Sequence, residues 1–76
     1  MSKTAKFLKK IRKEKNITQR ELAKKIGVAH TTISAWESDV AQIPLEKAIV
    51  LSVNLNFNLQ DILDCIIDDL KLSMTA

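Results

Sequence analysis

The stretch between Thr18 and Glu37 constrains the fold of this chain more than any other segment. Thr18 and Glu21 have the spacing of a capping box, in which a hydroxyl and a carboxylate each accept a hydrogen bond from a backbone N–H at the start of a helix. Gly27, the one glycine of the chain, follows the last apolar residue of that helix, where the backbone enters a left-handed conformation that disfavours a Cβ. The segment therefore predicts two short helices that meet at a tight glycine corner.

Apolar residues recur with helical spacing along the rest of the chain, and no strand-like alternation appears. The predicted helices cover about residues 4–15, 19–26 and 30–37, a segment that begins near Pro44, and a last segment from Asn58 to about residue 71. The buried side of the fourth helix is expected to be formed by Leu45, Ala48, Ile49 and residues 51–53. The sequence thus predicts an all-α, compact five-helix fold in one domain over residues 1–76, with its core within about residues 4–63.

The motif residues also resemble a known family. Their register comprises Gln19, Glu21, Leu22, Ala23, Gly27, Val28, Ile33, Ser34, Trp36 and Glu37. In this register the chain resembles the helix-turn-helix of the Cro and phage-repressor family, also called XRE-type regulators. The likeness extends backwards to Leu8 and forwards to Leu63. It implies a lambda-repressor-like DNA-binding domain in which helices 2 and 3 form the motif.

The resemblance also implies a role for individual residues. In the family, the second helix of the motif lies in the major groove of double-stranded DNA. The base contacts implied for this chain are Ala29, His30, Thr31, Ser34 and Ala35. The implied phosphate contacts are Gln19, Arg20 and Ser38, and Arg12 is expected to form a structural ion pair with Glu37.

Charge is divided unevenly along the chain. Residues 1–27 contain eight lysines and two arginines against two glutamates, a balance of +8, whereas residues 28–76 have a balance of −5. A basic half attracts a polyanion in an association that weakens with salt. A single exposed lysine is typical of a solubilising surface, but ten basic residues beside a helix-turn-helix favour nucleic acid.

Several functional classes are disfavoured by composition. The chain has one histidine, which belongs to helix 3, so it offers no catalytic triad and we expect no enzyme. Cys65 is the only cysteine and cannot form an internal disulfide, and no His or Cys cluster predicts a metal or cofactor site. No apolar run is long enough for a membrane span or a signal peptide. The expected location is a reducing cytoplasm.

The apolar stripe of the last helix continues past the end of the core that the resemblance implies. Ile66, Ile67 and Leu70 have few helices left to cover them, and an exposed apolar stripe indicates a protein partner. The simplest partner is a second copy, because a two-fold dimer matches paired half-sites on an operator. The alternative is that helix 5 folds back and covers helix 1.

Two functions follow from these features. The leading interpretation is a phage or prokaryotic transcriptional regulator, a Cro-like repressor that binds operator DNA as a homodimer. The short outward side chains of helix 3 and the acidic Asp39 after it motivate another interpretation. In that case the chain is a modulator or antirepressor that uses the same fold to bind a partner repressor. An antitoxin is a third interpretation of the same fold.

Overall fold

The computed structural model describes residues 2–75, with side chains described for residues 2–71. Five α-helices and no strand form within residues 2–75. Helices α1 to α5 span Lys3–Glu14, Gln19–Ile26, His30–Glu37, Leu45–Leu55 and Leu59–Thr75. The predicted all-α fold is confirmed, and α2 and α3 begin and end where the sequence predicts.

Local sequence signals account for both ends of α2. Thr18 Oγ1 accepts a hydrogen bond from the Glu21 N–H at 3.0 Å, and the Thr18 N–H donates to Glu21 Oε1 at 2.9 Å. These bonds hold the pKa of Glu21 below its ordinary value. Gly27 ends the helix with a φ of +75°, the left-handed conformation expected of a glycine corner.

One cluster of buried apolar side chains joins all five helices. Its largest fully buried members are Leu8, Leu22, Ile33, Leu51 and Ile62, one from each helix. Trp36 is also buried in this cluster, so its ring fills the core. Phe7 and Phe57 pack edge to face against its margin, with ring centroids 5.2 Å apart. The core therefore fixes the position of α3 relative to the other helices.

Helix α4 buries only part of the predicted face. Its buried residues are Ala48, Leu51, Ser52 and Leu55. Leu45, Ile49 and Val53 are 62%, 44% and 75% exposed, so the prediction that these three are buried is wrong. Apolar residues occupy two adjoining arcs of α4, and contact with α2 and α5 selects the arc that faces the core.

Helix α5 folds back along α1 and caps its first turn. Asp69 accepts hydrogen bonds from the backbone N–H groups of Lys3 and Thr4, both at 3.0 Å, and from Thr4 Oγ1 at 2.6 Å. Asp68 forms an ion pair with Lys3 Nζ at 3.0 Å. The first N–H groups of a helix have no partner within it, so a carboxylate there satisfies them and meets the positive end of the helix dipole. Of the two arrangements considered for the last helix, the structure shows the folded-back one.

Candidate nucleic-acid interface

The glycine corner sets the position of α3 against α2. The N–H groups of Gly27 and Val28 both donate to the carbonyl of Ala23, which closes the turn. Val28 packs against the core, and the small buried side chain of Ala23 allows the two helices to approach closely. The corner therefore fixes α3 at both its backbone and its buried face.

The start of α3 presents an exposed patch. Ala29, His30 and Thr31 are exposed, while Ser34 and Ala35 are half-buried one turn later. Ala29 has an extended backbone and its side chain caps no N–H group, so the first turn of α3 has no side-chain cap. The five predicted base-contact residues thus lie at the start of α3 and on its next turn. The three at its start are the most accessible.

A buried carboxylate at the end of α3 connects this helix with α1. Arg12 donates from Nε to Glu37 Oε2 at 2.7 Å and from Nη2 to Glu37 Oε1 at 3.0 Å. The two side chains are 11% and 3% exposed. Arg12 Nη1 also donates to the carbonyl of Ile17 at 2.8 Å, in the turn before α2. The hydrogen bond with Glu37 raises the pKa of Arg12, and the predicted pair is present with bidentate geometry.

Gln19, the first residue of α2, shares the same carboxylate. Its Nε2 donates to Glu37 Oε1 at 3.2 Å, so Glu37 Oε1 accepts from both Arg12 and Gln19. Gln19 is half-buried, whereas the neighbouring Arg20 is exposed. The contact between Gln19 and Glu37 was not predicted. The two residues are 18 positions apart, and no local pattern connects them.

Ser38, a predicted phosphate contact, uses its donors within the protein. Its hydroxyl donates to the carbonyl of Ser34 at 2.7 Å, and its backbone N–H donates to the same carbonyl at 3.0 Å. A phosphate oxygen accepts hydrogen bonds and needs a free donor. In this geometry Ser38 has none to offer, so the predicted phosphate contact requires that one of these bonds break.

Basic side chains cover the exposed surfaces of α1 and α2. The exposed basic residues of these two helices, apart from Lys3, are Lys6, Lys9, Lys10, Lys13, Arg20, Lys24 and Lys25. None of these seven forms an ion pair with a residue that the structure describes. Their charge is therefore not neutralised within the fold and is available to an anionic partner.

Asp39 follows α3 in the sequence, and its side chain packs against the start of α1. Its φ is +64°, and its carboxylate accepts the Ser2 N–H at 2.7 Å and the Ser2 hydroxyl. These two hydrogen bonds lower the pKa of Asp39. Ser2 Oγ in turn accepts the N–H of Ala5 at 3.0 Å, which caps α1. The carboxylate thus ties the segment after α3 to α1, a role that the sequence did not reveal across 37 positions.

The predicted partner surface on α5 is divided by the fold. Ile66 is half-buried and packs against the core, whereas Ile67 and Leu70 are each 45% exposed. Leu70 and Asp69 border a groove of about 270 Å³ between α5, the start of α1 and the segment after α3. Two of the three predicted residues thus keep an exposed apolar surface.

Other kinds of site find little support within the described residues. No group of three or more His, Cys, Asp or Glu side chains among them is arranged to hold a metal ion. Cys65 is half-buried, and burial raises the pKa of its thiol, which disfavours a reactive thiolate. None of the described helices has the length and apolar character needed to cross a membrane.

Comparison with known proteins identifies one family. A family model described as helix-turn-helix matches residues 8–62, which cover most of the chain and include α2, the glycine corner and α3. No curated protein and no solved structure matches the chain.

Proposed function

The chain belongs to the helix-turn-helix family of XRE type, whose members are DNA-binding regulators, and on this basis we propose that it is a sequence-specific transcriptional repressor. Its target is an operator in double-stranded DNA, which α3 reads in the major groove. The repressor is of the Cro-like, phage or prokaryotic kind, and it acts by occupying the operator.

The observation that carries this proposal is the exposed start of α3 beside an unneutralised basic surface. Ala29, His30 and Thr31 are accessible to base edges, and Ser34 and Ala35 line the next turn. A histidine ring and a threonine hydroxyl form hydrogen bonds with bases, while alanine methyl groups contact thymine. The proposed recognition of the operator sequence therefore depends on a few hydrogen bonds to bases and on apolar contacts with thymine.

Gln19, Arg20 and the lysines of α1 and α2 supply the phosphate contacts in this proposal. The exposed Arg20 provides a charged donor at the start of α2, where the helix dipole also favours an anion. Ser38 is left out because its donors are bonded to Ser34. These contacts position the protein on the duplex, and α3 provides the specificity.

The test is selection of a duplex from a random library by the purified chain, followed by titration of the selected duplex with variants. His30→Ala and Thr31→Val are each expected to weaken binding by about 5- to 150-fold, because a lost base contact costs roughly 1–3 kcal/mol. Gln60→Ala is the control, since Gln60 lies on α5 and its side chain bonds only Asp64 among the described residues. No enriched duplex, or unchanged binding by both α3 variants, would contradict the proposal.

The proposed repressor is a homodimer that pairs through the exposed apolar side of α5. Ile67 and Leu70 form the centre of that surface, and the half-buried Ile66 borders it. Leu70→Lys is expected to give a monomer in sedimentation equilibrium and to weaken operator binding, because it places a charge in the apolar contact. Val53→Lys, on the exposed face of α4, is the matched control. A wild-type chain that binds the duplex as a monomer at micromolar concentration would contradict the dimer.

A second candidate function is that of a modulator or antirepressor that binds a partner repressor. It is favoured by the exposed apolar residues of α4, Leu45, Ile49 and Val53, which contribute nothing to a DNA contact through α3. Its test is pull-down of a repressor encoded beside the gene, followed by an operator-binding assay on the complex. Loss of operator binding by the complex supports the modulator, and a clean footprint by the isolated chain rejects it.

A further inference from the structure

We propose that Glu37 is a positioning residue for DNA binding and holds the side-chain amide of Gln19 in the orientation that contacts a phosphate. The inference rests on the function proposed above. It is carried by one geometric fact: Glu37 Oε1 accepts a hydrogen bond from Arg12 Nη2 at 3.0 Å and from Gln19 Nε2 at 3.2 Å. The ion pair between α1 and α3 thus extends to the first side chain of α2.

Glu37 is well suited to hold another side chain. It is 3% exposed, and two hydrogen bonds from Arg12 fix both of its carboxylate oxygens. Arg12 is itself held by a bond to the carbonyl of Ile17 at 2.8 Å. A carboxylate fixed in this way is a rigid acceptor, and its ion pair with Arg12 offsets its repulsion of a phosphate at the surface.

The chemistry of the Gln19 amide determines what remains for a ligand. A carboxamide nitrogen carries two N–H donors, and a phosphate oxygen accepts hydrogen bonds only. When one N–H of Gln19 bonds Glu37, the second N–H is left for the phosphate. The proposed contact therefore uses both protons of Nε2 at once, one inward and one outward.

Holding Gln19 in place raises affinity because a glutamine side chain is otherwise flexible. Ordering its rotamers on binding opposes association, and a side chain that is already ordered in the free protein avoids that loss. Glu37 therefore affects DNA binding without touching DNA. The buried ion pair contributes to recognition as well as to architecture.

The first test follows the two side-chain amide protons of Gln19 by NMR in the wild-type chain. In the free protein, the chemical shift of one of these protons should differ from that of an exposed glutamine, because this proton bonds Glu37. On addition of the selected duplex, the chemical shift of the second proton should change, while that of the first should stay the same. Loss of the Glu37-bonded signal would show that Glu37 competes with DNA, and no shift at all would show that Gln19 does not contact it. Either result overturns the proposal.

The second test is a double-mutant cycle on duplex affinity. Gln19→Met removes the amide and should weaken binding about tenfold, the effect of losing one hydrogen bond to a charged group. Glu37→Asp keeps a charge for Arg12 but shortens the reach to Gln19, and about a threefold loss is expected. If Glu37 acts through Gln19, the double variant should bind no more weakly than Gln19→Met alone.

Controls separate positioning from folding and from the function itself. Gln60→Met removes an amide that bonds Asp64 at 2.7 Å on α5 and should leave affinity unchanged. Thermal unfolding establishes that each variant is folded, and if Glu37→Asp fails to fold, the wild-type NMR result alone decides. If the losses in affinity are additive in the cycle and the wild-type chain binds normally, the positioning role of Glu37 is overturned. The proposed repressor function is then unaffected. A wild-type chain that binds no duplex overturns both.

Discussion

At the scale of single residues, the left-handed positions within residues 2–75 are occupied by glycine, asparagine or aspartate. Gly27 has a φ of +75°, and Asn16, Asp39 and Asn56 have values of 57°, 64° and 54°. Each lies just after a helix, where the left-handed conformation ends the helical hydrogen-bond pattern. Asn and Asp tolerate this conformation better than other residues with a Cβ.

Replacement of Gly27 isolates this conformational cost. A Cβ added at Gly27 would meet no atom within 4 Å, so the cost comes from the backbone and not from a clash. Gly27→Ala is expected to lower the free energy of unfolding by about 1–2 kcal/mol. Gly27→Asn should lower the free energy of unfolding by a smaller amount. Urea unfolding with an unchanged m-value measures both, and equal losses for alanine and asparagine would refute the explanation.

Residues whose partners lie close in sequence could be predicted, and those with distant partners could not. The capping box of Thr18 and Glu21 spans three positions and forms as predicted. Gln19 and Glu37 are 18 positions apart, and Thr4 and Asp69 are 65 apart. Such contacts depend on how helices pack, which no spacing rule encodes. The ion pair of Arg12 with Glu37 was expected only because of the family resemblance.

At the scale of helices, a mixed pattern of apolar residues limits prediction. Helix α2 has one apolar side, and its buried face follows directly from the sequence. Helix α4 has apolar residues on two adjoining arcs, so the prediction is right for Ala48, Leu51 and Ser52 and wrong for Leu45, Ile49 and Val53. The packing of α2 and α5 decides between the arcs. Helix α5 is joined to α1 by Asp69, which caps the first turn of α1, and by Asp68, which forms an ion pair with the Lys3 side chain. The apolar stripe of α5 buries Ile62 in the core, and the polar contacts fix where α5 meets the start of α1.

The contact between α5 and α1 predicts how stability depends on pH. Burial alone would raise the pKa of Asp69, but hydrogen bonds from Thr4 and Lys3 outweigh it and lower the pKa below 3.8. The folded carboxylate therefore binds fewer protons than the unfolded one, so its stabilisation is present above about pH 4 and is lost as pH falls further. Asp69→Asn should lower the Tm at neutral pH.

The same variant should also flatten the decline of Tm between about pH 4 and pH 2. Asp61→Asn is the control, because the Asp61 side chain makes no hydrogen bond to another helix in the described part of the chain. Thermal melts across this range provide the measurement. An acid decline as steep in Asp69→Asn as in the wild type would mean that Asp69 does not hold α5 in place.

At the scale of the whole molecule, charge is separated between two halves. Residues 1–27 have a balance of +8 and residues 28–76 one of −5. The exposed basic residues of α1 and α2 lie in the first half, while α5 carries Asp61, Asp64, Asp68 and Asp69 in the second. Although α5 packs along α1, the exposed Arg20, Lys24 and Lys25 of α2 form no ion pair with a described residue and attract a polyanion. The distribution therefore favours the orientation in which the helix-turn-helix meets DNA.

The salt dependence of duplex affinity tests the central claim most directly, namely that this basic side docks α3 onto DNA. For the wild-type chain, log Kd should rise linearly with log salt concentration. Arg20→Gln should reduce that slope by about one, because each phosphate contact releases about one counterion. Lys47→Gln removes the same charge from α4 and should leave the slope unchanged. A duplex affinity that does not change with salt concentration, or equal slopes for Arg20→Gln and the wild type, would contradict the claim.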